Sequence, residues 1–86
     1  MKKLIIGKAP QKELEKTDAM MRRRIIDGIA GLLKEPPKGD VKPLRGALHG
    51  LFRLRVGAWR ITYEVTDEAI HVVQISPRGG AYKKGV

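Results

Sequence analysis

At 86 residues the chain has room for one domain and no second. A chain of this size hides only about 60% of the surface its unfolded form exposes, so a modest core is expected and deep enclosed pockets are not. Eighteen Lys and Arg against nine Asp and Glu leave a net charge of +9, which favours a polyanionic partner: nucleic acid, an acidic protein or an anionic membrane. Having no cysteine, the chain forms no disulfide, thiolate metal site or cysteine nucleophile, in agreement with a reducing compartment. The first residues, Met1-Lys2-Lys3-Leu4-Ile5-Ile6-Gly7-Lys8, begin basic, but their apolar run is too short for a secretory leader. No apolar stretch approaches the roughly 20 residues needed to cross a bilayer. The expectation is a soluble, cytoplasmic protein without a membrane partner. Residues 1 to 40 carry 10 basic and 6 acidic side chains, and residues 41 to 86 carry 8 and 3, so the second half is the less neutralised. There the basic residues are mostly arginine, the better match to phosphate geometry.

In chain order, Leu4 to Ile6 reads as a short strand, and Pro10 suits the first turn of a helix running to Lys16. Thr17 or Asp18 caps a second helix, in which Met21, Ile25, Ile29 and Leu32, with Leu33 beside them, form one apolar stripe. Pro36 and Pro37 are expected to end it. The two segments make an αα-hairpin or one kinked helix. From Leu48 the apolar period changes to two. Phe52, Leu54 and Val56 alternate with Arg53 and Arg55. Gly57-Ala58 reads as a turn, after which Trp59, Ile61, Tyr63 and Val65 alternate with Arg60, Thr62 and Glu64. Thr66-Asp67-Glu68 is a second turn and Ile70 to Ile75 a further strand, followed by a glycine-rich tail from Pro77 to Val86. The order β-α-α-β-β-β predicts one α/β (α+β) domain over residues 1–86. Its twisted, mainly antiparallel sheet has about four strands, with the αα-hairpin packed on one face.

A two-residue Gly57-Ala58 loop sets Val56 opposite Trp59, Arg55 opposite Arg60, Leu54 opposite Ile61 and Arg53 opposite Thr62. One face of the hairpin is then apolar and the other holds three guanidinium groups. Like charges directly opposite across strands destabilise by about 0.2 to 1 kcal/mol, and a face needing only solubility would take a glutamate instead. The pattern fits a phosphate site, or a solvated strand face with long basic side chains. The last strand leads to Arg78 and Tyr82, which would bring a bidentate phosphate ligand and a stacking ring to one end of the sheet.

The ordered segments KPLRG, LFRLRVGAWRITYEV and ISPRGGAYK, after a strand and an αα-hairpin, resemble the RelE/ParE superfamily of bacterial and archaeal toxins over Leu4 to Lys84. They resemble the RelE-type mRNA interferases more than the ParE type. The resemblance implies a toxin of a type II toxin-antitoxin system: a ribosome-dependent endoribonuclease that cleaves mRNA by attack of a ribose 2′-OH on the adjacent phosphate. It also implies site residues Arg53, Arg55, Arg60, Arg78 and Tyr82, no metal and no cofactor. The implied partners are mRNA, the ribosome and an acidic, RelB-like antitoxin that covers the basic residues. Fixed guanidinium groups suit the charge that accumulates in such a transition state, and substrate alignment adds a proximity effect.

Two departures bear on the chemistry. Some relatives carry lysine on the strand before the turn, where this chain has Arg53 and Arg55; arginine, which keeps its proton under physiological conditions, is a poor general base. Many carry a histidine immediately before the C-terminal arginine, where this chain has Pro77. Proton transfer is thus unassigned, with Tyr82 and Glu64 as candidates. A ParE-like inhibitor of DNA gyrase and a catalytically weak RNA-binding remnant stay open as alternatives.

Other residues read more plainly. His49 and His71 lack the neighbours of a metal site and are structural, or acid–base groups. The run Arg22-Arg23-Arg24 is a solvated helix face or an RNA contact, and Trp59 falls on the apolar face. Gly79-Gly80 has no lysine-serine sequel and matches no phosphate loop.

Overall fold

The computed structural model describes residues 2–34, 36–44 and 50–77. Among them the elements run β1 (Lys3–Ile6), α1 (Lys8–Lys16), α2 (Ala19–Gly31), β2 (Asp40–Pro43), β3 (Leu51–Val56), β4 (Trp59–Val65) and β5 (Ala69–Pro77). The strands form one sheet in the order β1-β5-β4-β3-β2. Only the β1–β5 pair is parallel; the others are antiparallel. The α+β fold is therefore as expected from the sequence, with one strand more. That strand, β2, is short and ends in Pro43, which an edge position tolerates because no inner ladder bond is lost.

The helices are separate rather than one kinked rod. Thr17 ends α1, its hydroxyl donating to the Leu14 carbonyl at 2.7 Å. Asp18 starts α2, its carboxylate accepting from the Met21 amide at 2.8 Å. Arg22 then reaches back, donating from Nε to the Leu14 carbonyl at 2.9 Å and from Nη2 to the Thr17 carbonyl at 2.7 Å. These bonds tie α2 to the carbonyl end of α1, where Leu14 also accepts from the Thr17 amide at 3.1 Å. Helix α2 stops at Gly31, before Pro36 and Pro37. Its stripe is buried at Ile25, Ile29 and Leu32, whereas Leu33 is exposed.

Both helices cover one face of the sheet, where Leu14, Ile25 and Ile29 meet Leu54, Ile61 and Val72. Phe52 and Tyr63, partners across β3 and β4, stack with ring centroids 5.7 Å apart and planes 20° from parallel. Gly28 allows α2 to descend on β3: a Cβ there would come within 2.8 Å of Val56 Cγ2. At the other end of this face lies a hollow of about 610 Å³, floored by Phe52, Tyr63 and Ile70 and rimmed by Lys2 and Lys34. No helix among the described residues is long and apolar enough to cross a membrane.

A bulge in β5 adjusts the far side of the sheet. Thr62 pairs with Gln74 but Tyr63 pairs with Val72, so Val73 is an extra residue. It shifts the alternation, so that Val72 and Ile75 both face the core while Gln74 and Ser76 face away.

Two outcomes follow for stability. Gly28→Ala should lower it by about 1 kcal/mol in urea unfolding, because overlap with the stiff Val56 side chain outweighs the better helix propensity of alanine. Burial raises the Tyr63 phenol above its ordinary pKa of 10.0, so the unfolded chain loses that proton first. Its contribution is complete below that value and declines as pH rises past it. Tyr63→Phe keeps the stacked ring and should flatten this alkaline loss, read as urea midpoints at about pH 8 and about pH 10.5.

Candidate active site

On the face away from the helices, the sheet presents its polar side chains in rows. One row runs Asp40, Arg55, Arg60 and Ser76 across β2, β3, β4 and β5; the next runs Lys42, Arg53, Thr62 and Gln74. The hairpin register expected from the sequence is the register observed. Arg55 stands directly opposite Arg60, and Arg53 opposite Thr62. The loop between the strands is Gly57-Ala58, with Gly57 at φ +60°, a conformation side chains rarely adopt. Arg53, Arg55, Arg60 and Ala58 line an open hollow of about 250 Å³ at this end of the sheet.

The three arginines are not equivalent. Arg53 is only 8% exposed. It donates from Nη1 to the Asp40 carbonyl at 3.2 Å, and the same nitrogen lies 3.6 Å from the Asp40 carboxylate. Arg55 is exposed and Arg60 half-buried. The hollow therefore has an anchored guanidinium in its wall and more accessible ones beside it. Such a site can accept the paired oxygens of a phosphodiester and stabilise added negative charge. Arginine does not exchange protons at neutral pH, so the three supply charge and orientation alone.

The sequence pattern does not point to Asp40 or Ser76. Asp40 alternates with Lys42 in a strand too short to show a period. Ser76 is placed opposite Arg60 by the bulge, whose one sequence signal is the adjacent pair Val72-Val73. It is 4% exposed and its hydroxyl has no hydrogen-bond partner. Of the other candidates, Glu64 and His71 are cross-strand partners on this face, a further step from the hollow. Trp59 is half-buried against the core. Arg78, Tyr82 and His49 lie outside the described residues. Strand β5 ends at Pro77, opposite Trp59, one residue before Arg78.

The family model described as the ParE toxin of the parDE type II toxin-antitoxin system matches residues 4–82. The chain belongs to the RelE/ParE superfamily of toxins. Comparison with curated proteins gives no match. Among solved structures, the chain resembles the archaeal RelE–RelB complex of Pyrococcus horikoshii at 31% identity and a TM-score of 0.75, covering 91% of this chain and 96% of that one. The RelB–RelE antitoxin–toxin complex of Methanococcus jannaschii matches at 26% identity and 0.73, covering 93% and 96%. The RelBE2 complex of Mycobacterium tuberculosis matches at 23% and 0.76, covering 90% and 98%, and bears on the fold alone.

In this toxin fold, Asp40 is the carboxylate that compensates a buried guanidinium. Asp40→Ala should cost about 1 kcal/mol, a figure held down by the 57% exposure of the Asp40 side chain. Inorganic phosphate should raise the variant's unfolding midpoint more than the wild type's, since an anion then takes the vacated place.

Proposed function

We propose that this toxin is a RelE-type mRNA interferase: a ribosome-dependent, metal-independent endoribonuclease. The observation that carries the reading is the hollow in which Arg53, Arg55 and Arg60 converge, with Arg55 and Arg60 in direct opposition despite their like charge. A bound phosphodiester relieves that repulsion, and the relief grows as the reaction adds charge to the phosphorus centre. In the reaction, the ribose 2′-oxygen loses its proton and bonds to the adjacent phosphorus. The bond from phosphorus to the 5′-oxygen breaks, and that oxygen takes up a proton. The products are a 2′,3′-cyclic phosphate and a 5′-OH. Arg53, Arg55 and Arg60 hold the phosphate oxygens; Arg78 and Tyr82 are assigned to the same site.

The antitoxin reading rests on the Pyrococcus horikoshii and Methanococcus jannaschii relatives, both solved as complexes with RelB antitoxins. A net charge of +9 favours an acidic partner, and the apolar hollow between Lys2 and Lys34 suits the apolar side of a wrapping segment. The match to the ParE model supports one second reading, inhibition of DNA gyrase without RNA cleavage. A site of convergent arginines counts against it, since such inhibition has no use for a phosphate hollow.

The deciding experiment is incubation of the purified toxin with mRNA-programmed ribosomes. Cleavage should yield a cyclic phosphate, and Arg60→Ala should lower its rate by about two orders of magnitude or more, as expected for loss of one charge-stabilising donor. Tyr82→Phe should lower it as well. Intact mRNA with bound toxin would indicate a catalytically weak RNA-binding protein, and no ribosome binding would point to gyrase.

A further inference from the structure

The three consecutive arginines of α2 have three different environments. Arg22 is spent on the end of α1. Arg23 pairs with Asp27 one turn on, Nε to Oδ1 at 3.5 Å, with both side chains exposed. Arg24 is exposed and has no acidic partner among the described residues. Its guanidinium lies over the tip of the β3–β4 hairpin: Nη2 and Nη1 are 3.5 and 3.7 Å from where a Cβ of Gly57 would stand. Gly28, one turn further along α2, allows the close approach to Val56 that sets the helix at this height.

The tip has the arginine hollow on its other side. Ala58 is part of the hollow's wall, and Arg55 is two residues from Gly57, less than about 8 Å of backbone. Positive charge thus continues around the tip from Arg55 and Arg60 on the open face to Arg24 on the helical one. Two walls of guanidinium separated by a narrow, side-chain-poor turn match a strand that carries a phosphate at every nucleotide. They match a single anion poorly.

We propose that Arg24 is a second RNA-backbone contact, gripping a phosphate of RNA that passes over Gly57 and Ala58 beside the arginine hollow. The inference rests on the reading of that hollow as a phosphodiester site. Arg24 grips and orients; it touches no reacting atom. The phosphate belongs either to the cleaved strand or to ribosomal RNA.

The test compares wild type, Arg24→Ala, Arg23→Ala and Arg60→Ala for binding across a salt series. Two probes are used: a single-stranded oligonucleotide blocked by 2′-O-methylation, and ribosomes programmed with the same blocked message. Arg24→Ala should lower the slope of log affinity against log salt by about one. Arg23→Ala, which removes the same formal charge one residue away, should leave the slope close to wild type. A change with both probes assigns the phosphate to the message, and a change with ribosomes alone assigns it to ribosomal RNA. If Arg60→Ala weakens binding while Arg24→Ala matches Arg23→Ala, the Arg24 contact is overturned and the hollow stands. If Arg60→Ala has no effect on either probe, the reading of the hollow fails, and the Arg24 contact with it. Loss of affinity for the antitoxin alone in Arg24→Ala would make the tip a protein contact and overturn the proposal.

Discussion

Arg55 faces Arg60 across β3 and β4, and this opposition persists because the other face of the same hairpin outweighs it. Leu54 and Ile61 are paired one position away and are almost completely buried. Burying each is worth about 1.5 to 3 kcal/mol, against about 0.2 to 1 kcal/mol for like charges in opposition. A slip of either strand by one residue would turn its arginine into the core and its buried aliphatic into water. The register that makes the hydrophobic core is therefore the register that makes the arginine hollow. Stability and charge placement are fixed by one constraint, and the core tolerates the strain of the site with several kcal/mol to spare.

Around that hairpin, the neighbouring strands adjust the charge. On one side, Asp40 gives Arg53 both a carbonyl and a carboxylate, so this guanidinium stays buried without being left unpaired. On the other side, the Val73 bulge changes the parity of β5 and places Ser76 opposite Arg60. A regular β5 would have turned Ile75 outward and Ser76 toward the core. The bulge thus serves both layers at once, returning an isoleucine to the core and a small polar residue to the arginine row.

Most of the hairpin was legible because period-two alternation is unusually clean from Phe52 to Val65, and a glycine at Gly57 fixes where the chain turns. The helices were legible from the spacing of Ile25 and Ile29 and from Asp18 as a cap. Strand β2 was not, because four residues ending in proline carry no period; its pairing is set by β3, a partner distant in sequence. Helix α2 ends before its prolines because Leu32 already turns its amide onto the Ile29 carbonyl. The arginine run at 22–24 was the least legible part. Three identical letters acquire different roles only through tertiary partners: the end of α1, Asp27, and the hairpin tip.

A site built from arginines separates two tasks that enzymes often combine. Arginine stabilises charge at every physiological pH and moves no proton, so on the interferase reading electrostatic assistance from Arg53, Arg55 and Arg60 stays constant while acid–base assistance comes from elsewhere. Glu64 shares the open face, yet it lies four residues along β4 from Arg60, about 13 Å of strand. On the interferase reading, the toxin's hollow contributes a fixed, preorganised positive field. Alignment of the 2′-OH then decides the rate, which is a task that a ribosome holding the message in one conformation can perform.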